Sequence, residues 1–127
     1  MINDRVKMMK VYLKSNIKHF LVHDISDLRL KNYITLESNC NRALLNGSYI
    51  DNDFVAPSWY NELCAMKTPV LVINNIDNVN EGEQRKFLEI LNYNKISTFD
   101  LPSNCIIIVT YKELKINKEI FSLLVEI

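Results

Sequence analysis

The sequence predicts a three-layer α/β sandwich built on a small, mainly parallel sheet, and three observations carry that reading. Val70, Leu71, Val72 and Ile73 form a run that is apolar at every position and β-branched at three of the four. A strand of that composition is buried on both faces, as strands of a helix-covered parallel sheet are. A second continuous run follows at 105–109. Between the two, Phe87, Leu88, Ile90 and Leu91 give one apolar side to a helix. Strand, helix and strand at this spacing make a layered α/β unit.

The elements follow in chain order. Val6, Met9, Leu13, Ile17 and Phe20 recur at steps of three and four, so the segment 4–18 reads as an amphipathic helix, with a strand over 6–13 as the alternative. Residues 20–25 read as a short strand ended by Ser26 and Asp27. Ser38 can cap a helix carrying Arg42, Ala43, Leu44 and Leu45 that stops at Gly47, a residue free to turn left-handed. Residues 46–60, punctuated by Asp51, Asn52, Asp53 and Pro57, form the longest expected loop. Pro69 opens the strand at 70–73, and Asn80 with Glu83 makes a capping box for the following helix. Leu101, Pro102, Ser103 and Asn104 turn the chain into the strand at 105–109. A short helix near 117–121 and a terminal strand at 123–127 complete the pattern.

A chain of 127 residues makes one domain with one core. Its 15 basic and 15 acidic residues give no net charge to steer it toward a polyanion, so nucleic acid is not an expected partner. No apolar run approaches the roughly 18 residues that span a bilayer, and the first ten residues are too charged for a secretory leader. A cytoplasmic location without a membrane partner is expected. Cys40, Cys64 and Cys105 are odd in number and widely spaced, which fits reduced, buried thiols better than disulfides or a metal clip.

Several short stretches, in one order and spacing, resemble a known family. "FVAPSWYNEL" precedes the strand as an "APPSW"-like loop does; "VLVINNID" stands where the family has Walker B; "NEGEQRKFLEIL" is similar to the helix after it; and "LPSNCIIIVTYKE" is similar to the turn and strand of sensor 1. From about Phe20 to the C-terminus, roughly four fifths of the chain, the sequence resembles the nucleotide-binding core of an AAA+ ATPase, most closely the MoxR-like branch. The resemblance implies a truncated P-loop NTPase fold, with residues 20–127 as an AAA+-like core without its helical lid. Residues 1–19 would be an N-terminal helix or a replacement for the P-loop strand.

What the resemblance implies for activity fails position by position. The two acidic residues of Walker B, which hold Mg²⁺ and polarise water, fall on Asn74 and Asn75; a neutral amide can neither offset a dication nor accept a proton. Asp77 is the one nearby carboxylate and is expected to cap the loop before the helix. The sensor 1 position falls on Lys112, or on Tyr111 with a shift of one. A P-loop needs glycines so that its backbone can wrap the phosphates. The chain has only Gly47 and Gly82, and the "LKS" at Leu13, Lys14 and Ser15 is a faint echo of such a loop. The arginine-finger pair is missing too, since Leu123 follows Ser122. No catalytic residue, cofactor or metal is therefore expected.

In the family the P-loop strand lies between the sensor 1 strand and the last strand. With the N-terminus read as a helix, a smaller, closed-up sheet is expected, with association through an unpaired edge as its natural consequence.

The remaining chemistry is weak. His19 and His23 are four apart and on a helix could share a face as metal ligands, but with 20–25 as a strand they point apart or straddle its start and read as two ordinary, partly exposed histidines; Ser15, Ser48 and Ser58 lack a nucleophile context. Trp59 and Tyr60 are either partner-binding anchors or, for Trp59, a residue folded back on the sheet. Glu81, Glu83, Arg85, Lys86 and Glu89 read as the solvated face of their helix. The leading expectation is a catalytically inactive AAA+-like domain that acts as a protein-interaction or regulatory module, docking on an active AAA+ protein or on itself. Two alternatives stand beside it. One is a non-catalytic subunit of a composite ATPase that lends Lys112, Arg85 or Arg42 in trans; the other is a replication or mobile-element accessory protein.

Overall fold

The computed structural model describes residues 4–127. Its centre is a five-stranded sheet made of β1 (His19–Val22), β2 (Ile34–Glu37), β5 (Val70–Asn74), β8 (Ile106–Thr110) and β9 (Val125–Glu126). The spatial order is β2-β5-β8-β1-β9, and every neighbouring pair is parallel. Two antiparallel hairpins lie outside it, β3 (Ser48–Ile50) with β4 (Asp53–Val55) and β6 (Lys95–Ile96) with β7 (Phe99–Asp100).

Alternation along the strands divides the core in two, because successive side chains point to opposite faces. Leu21, Leu36, Leu71, Ile73, Ile107 and Val109 face one side. There they pack on α2 (Arg42–Asn46), α3 (Ser58–Cys64), α5 (Leu88–Tyr93) and α6 (Lys118–Ser122), through Leu45, Leu63, Ile90 and Ile120 among others. Phe20, Val22, Val70, Val72 and Ile108 face the other side and meet Met9 of α1 (Asp4–Lys14) and Leu28 of a 3-10 turn at Ile25–Leu28. Helices on both faces make the expected three layers. The second layer is thin and stops short of β2, whose outward Thr35 and Glu37 are exposed.

The N-terminal helix forms as expected and ends at Lys14, where Ser15 donates its N–H to the Tyr12 carbonyl. Lys14 and Ser15 thus close a helix instead of opening one, which removes them from any phosphate-loop geometry. The sheet itself is not closed up. β1 pairs with β8 on one side and β9 on the other, so there is no gap to fill and no unpaired buried edge at that place. The apolar run Phe20, Leu21, Val22 suffices for a central strand because it is buried on both faces.

Residues 46–60 are more ordered than a loop. The β3–β4 hairpin turns on Asp51 and Asn52, with φ of 50° and 72°, the left-handed pair a two-residue type I′ turn requires. Gly47 precedes the hairpin with φ of 92°, and a Cβ there would lie 2.4 Å from the Val55 carbonyl oxygen. Gly47 therefore sets how closely the end of α2 meets the hairpin.

α4 (Glu81–Gln84) opens on Asn80, whose side chain accepts the Glu83 N–H at 2.8 Å. A 3-10 turn at Arg85–Phe87 then joins it to α5. That turn rotates Lys86 inward: its side chain is 1% exposed, and its ammonium donates to the Cys40 carbonyl at 2.7 Å and to Glu83 at 3.1 Å. Lys86 is therefore not part of a solvated helix face. Glu89, half-buried, accepts the Ser97 N–H. No helix among the described residues is long and apolar enough to cross a membrane.

Candidate functional site

Open α/β sheets place their ligands at the carboxyl ends of the strands. Here those ends gather Glu37 and Ser38 from β2, Asn74 and Asn75 from β5, Thr110 and Tyr111 from β8, and His23 from β1. This is the corner to which the resemblance assigns catalysis.

The polar groups of the corner are bonded to one another. Asn74 reaches sideways in both directions: its amide nitrogen donates to the Glu37 carboxylate at 3.2 Å, and its amide oxygen accepts from the Thr110 hydroxyl at 3.0 Å. One side chain on the middle strand thus ties the exits of all three strands β2, β5 and β8. An aspartate cannot do this, because it has no donor for Glu37. The Thr110 oxygen in turn accepts the Asn75 N–H at 2.8 Å. Ser38, buried at 1% exposure, donates its hydroxyl to the Asn75 carbonyl at 2.6 Å. Ser38 therefore fastens β2 to β5 and does not cap α2; that role belongs to Asn41, whose side chain accepts the Leu44 N–H.

Asn75 has φ of 48° and ψ of 64°. Asparagine is among the few residues that occupy the left-handed region at low cost, whereas a longer side chain is strained there. The residue type at position 75 is thus accounted for by backbone conformation. The chain turns there into a 3-10 segment at Ile76–Asn78.

Asp77 lies on that segment and reaches across to the loop after β8. Its carboxylate accepts the backbone N–H groups of Lys112 at 2.8 Å, Glu113 at 2.7 Å and Lys115 at 3.4 Å. It caps this loop, not the one before α4. Partial burial works against the charged form, but the three backbone bonds prevail and hold the carboxyl below its ordinary value of 3.8. Lys112 joins the corner through its backbone amide. Tyr111 stacks edge-on against His23, with ring centroids 5.3 Å apart.

The exit of β1 is a capped turn. Asp24 accepts the Ser26 N–H at 3.0 Å, and that bond lowers its carboxyl. Arg29 ends the turn with φ of 52°. The chain then runs through 30–33 into β2 without a helix.

The other candidate residues lie elsewhere. Trp59 is buried at 5% exposure, and its indole N–H donates to the Leu44 and Leu45 carbonyls, so it is a core residue and not an accessible anchor. Tyr60 is half-buried, sends its hydroxyl to the Asp100 carbonyl at 2.6 Å and packs against Phe99. Arg85 is paired with Glu119 at 2.6 Å, while Arg42 is exposed on α2. His19 is half-buried, and burial with the nearby Lys18 charge lowers its pKa. Of the cysteines Cys105 is buried and its thiol pushed up to about 12, Cys40 is half-buried, and Cys64 is exposed, against the expectation that all are buried. Among the described residues no cluster of His, Cys, Asp or Glu can hold a metal ion. Comparison with protein-family models and with curated proteins finds no match to this chain.

Two outcomes follow. Asn74→Asp puts a second carboxylate beside Glu37 and should cost about 1 kcal/mol at pH 7, an exposed charged hydrogen bond turned repulsive. The loss should shrink as the pH falls and one carboxylate protonates, and Glu37→Gln in the same chain should recover it; urea denaturation of the native chain and the two variants measures both. Asp77→Asn should destabilise the protein at neutral pH. Because the folded-state pKa is depressed, its stabilisation is fully present above 3.8 and is lost as the pH falls through the folded value. Stability curves of the two proteins should therefore converge below about pH 4.

Proposed function

We propose that this chain is a catalytically inactive, AAA+-like domain that acts as a protein-interaction or regulatory module in the cytoplasm. The observation that carries the reading is the closed corner at the strand ends. Asn74 and Asn75 stand where the resemblance puts the Walker B acids and Lys112 where it puts sensor 1; the Asn74 side chain bonds Glu37 and Thr110, the Asn75 backbone N–H bonds Thr110, and the Lys112 backbone N–H bonds Asp77, so each helps to fasten one strand exit to another. Neither amide can replace a carboxylate as Mg²⁺ counter-charge or general base.

Strand order also supports the relationship. β1 lies between β8 and β9, the place of the P-loop strand in that family, although the glycine-rich loop and helix that would follow it are replaced by the Asp24-capped turn. The second face of the sheet is covered instead by α1, which precedes β1 in the chain. The scaffold is kept while the phosphate-binding element is exchanged for a packing element. A domain of this kind serves through its surface.

Calorimetric titration of the full chain with ATP and with ADP, Mg²⁺ present, tests the reading. No saturable heat is expected at millimolar nucleotide. Saturable binding near one nucleotide per chain would overturn it and require a non-standard site.

A further inference from the structure

Four of the large apolar side chains left in solvent lie together on one structure. Tyr49 is 76% exposed, Ile50 55%, Leu44 53% and Val55 38%, and all four belong to the β3–β4 hairpin or the adjoining α2. Leu44, Ile50 and Val55 border a groove of about 400 Å³ between α2, the hairpin and the start of α3, whose lining also includes Pro57 and Asn61 and no charged residue, while Tyr49 packs against Phe54. Single exposed apolar residues need no explanation, but a contiguous set around an uncharged groove marks an interaction surface. The hairpin also keeps free outer edges, since β3 pairs only with β4. Its tip carries the exposed carboxylates Asp51 and Asp53, and Glu62 is exposed on α3.

The complementary surface is on the same chain. α1 buries Met9 against the second face of the sheet and turns Lys7, Lys10 and Lys14 to solvent, with Val11 63% and Met8 40% exposed among them. A basic ridge bearing two apolar side chains thus lies on one face of the sheet, and an apolar groove with an acidic rim on the other. The two cannot meet within one copy. With 15 basic and 15 acidic residues there is no net charge to keep copies apart.

We propose that a second copy of this chain is the occupant of the hairpin groove, docking the outer side of its α1 there, with Val11 and Met8 on the apolar surface and the lysines against Asp51 and Asp53. The contact joins unlike surfaces, so it is head-to-tail and propagates into a ring or filament unless the rotation closes it early. The proposal rests on the interaction-module reading and gives that module its partner.

Sedimentation velocity of the full chain across a concentration series, in low and high salt, is the test. The native chain should sediment faster as concentration rises, less so in high salt. Ile50→Asp should abolish the effect. Lys7→Glu with Lys10→Glu, and Asp53→Lys with Asp51→Asn, should each weaken association about tenfold or more; the asparagine preserves the left-handed turn at position 51. An equimolar mixture of the two charge-reversed chains should recover it. Circular dichroism checks that each variant remains folded. A native chain that stays monomeric throughout, or association indifferent to both reversals, would overturn the proposal. Monomeric chain that binds no nucleotide overturns self-docking alone, whereas saturable nucleotide binding overturns the module reading beneath it.

Discussion

A parallel sheet brings all its strand exits to one edge, and at each exit a buried apolar strand becomes a loop whose first amides have left the ladder. Those amides need acceptors, and the loops need fastening. Here the acceptors are side chains: Thr110 takes the Asn75 N–H, and the Asp77 carboxylate takes the N–H groups of Lys112, Glu113 and Lys115. Asn74 and Ser38 tie the exits sideways. The loops at the C-terminal edge depend on this small set of bonds, and so does the choice of an amide at position 74.

Polar side chains at strand ends have two uses, binding a ligand or binding each other. An amide at position 74 is suited to the second, because it offers a donor to Glu37 and an acceptor to Thr110 at once. Buried side-chain polar atoms among the described residues all have partners, in keeping with a structural role. On the far side of the sheet α1 fills the space with Met9 and the half-buried Tyr12 and Leu13, and Ile17 follows it from the connection to β1. Its outward side is left basic, and the hairpin on the opposite layer is left apolar and acidic at its tip.

Much of the framework was legible in the sequence. The runs at 70–73 and 105–109 are apolar at nearly every position, and they became the central strands β5 and β8 because only a doubly covered strand tolerates such a run. The helix after Asn80 was marked by its cap. β2 was missed because ITLE is four residues with one fully buried side chain, too short for alternation to speak. The β3–β4 hairpin was hidden because its turn uses Asp51 and Asn52 in place of the usual glycine. In the candidate site, the identities of Asn74, Asn75 and Asp77 were readable, but not what they do. Their partners Glu37, Ser38 and Thr110 lie 35 to 37 positions away from Asn74 or Asn75. The inward turn of Lys86 depends on a 3-10 segment that periodicity cannot foresee, and Trp59 found its acceptors only once α2 packed beside α3.

Native-state hydrogen exchange of the Asn75, Lys112 and Glu113 amides, with and without ATP and Mg²⁺, tests most directly whether this corner is a structural clasp. The account predicts slow exchange, approaching that of the β5 and β8 core amides, and no change on adding nucleotide. Fast exchange at these amides, or protection that appears only with nucleotide, would show an open site awaiting a ligand and contradict it.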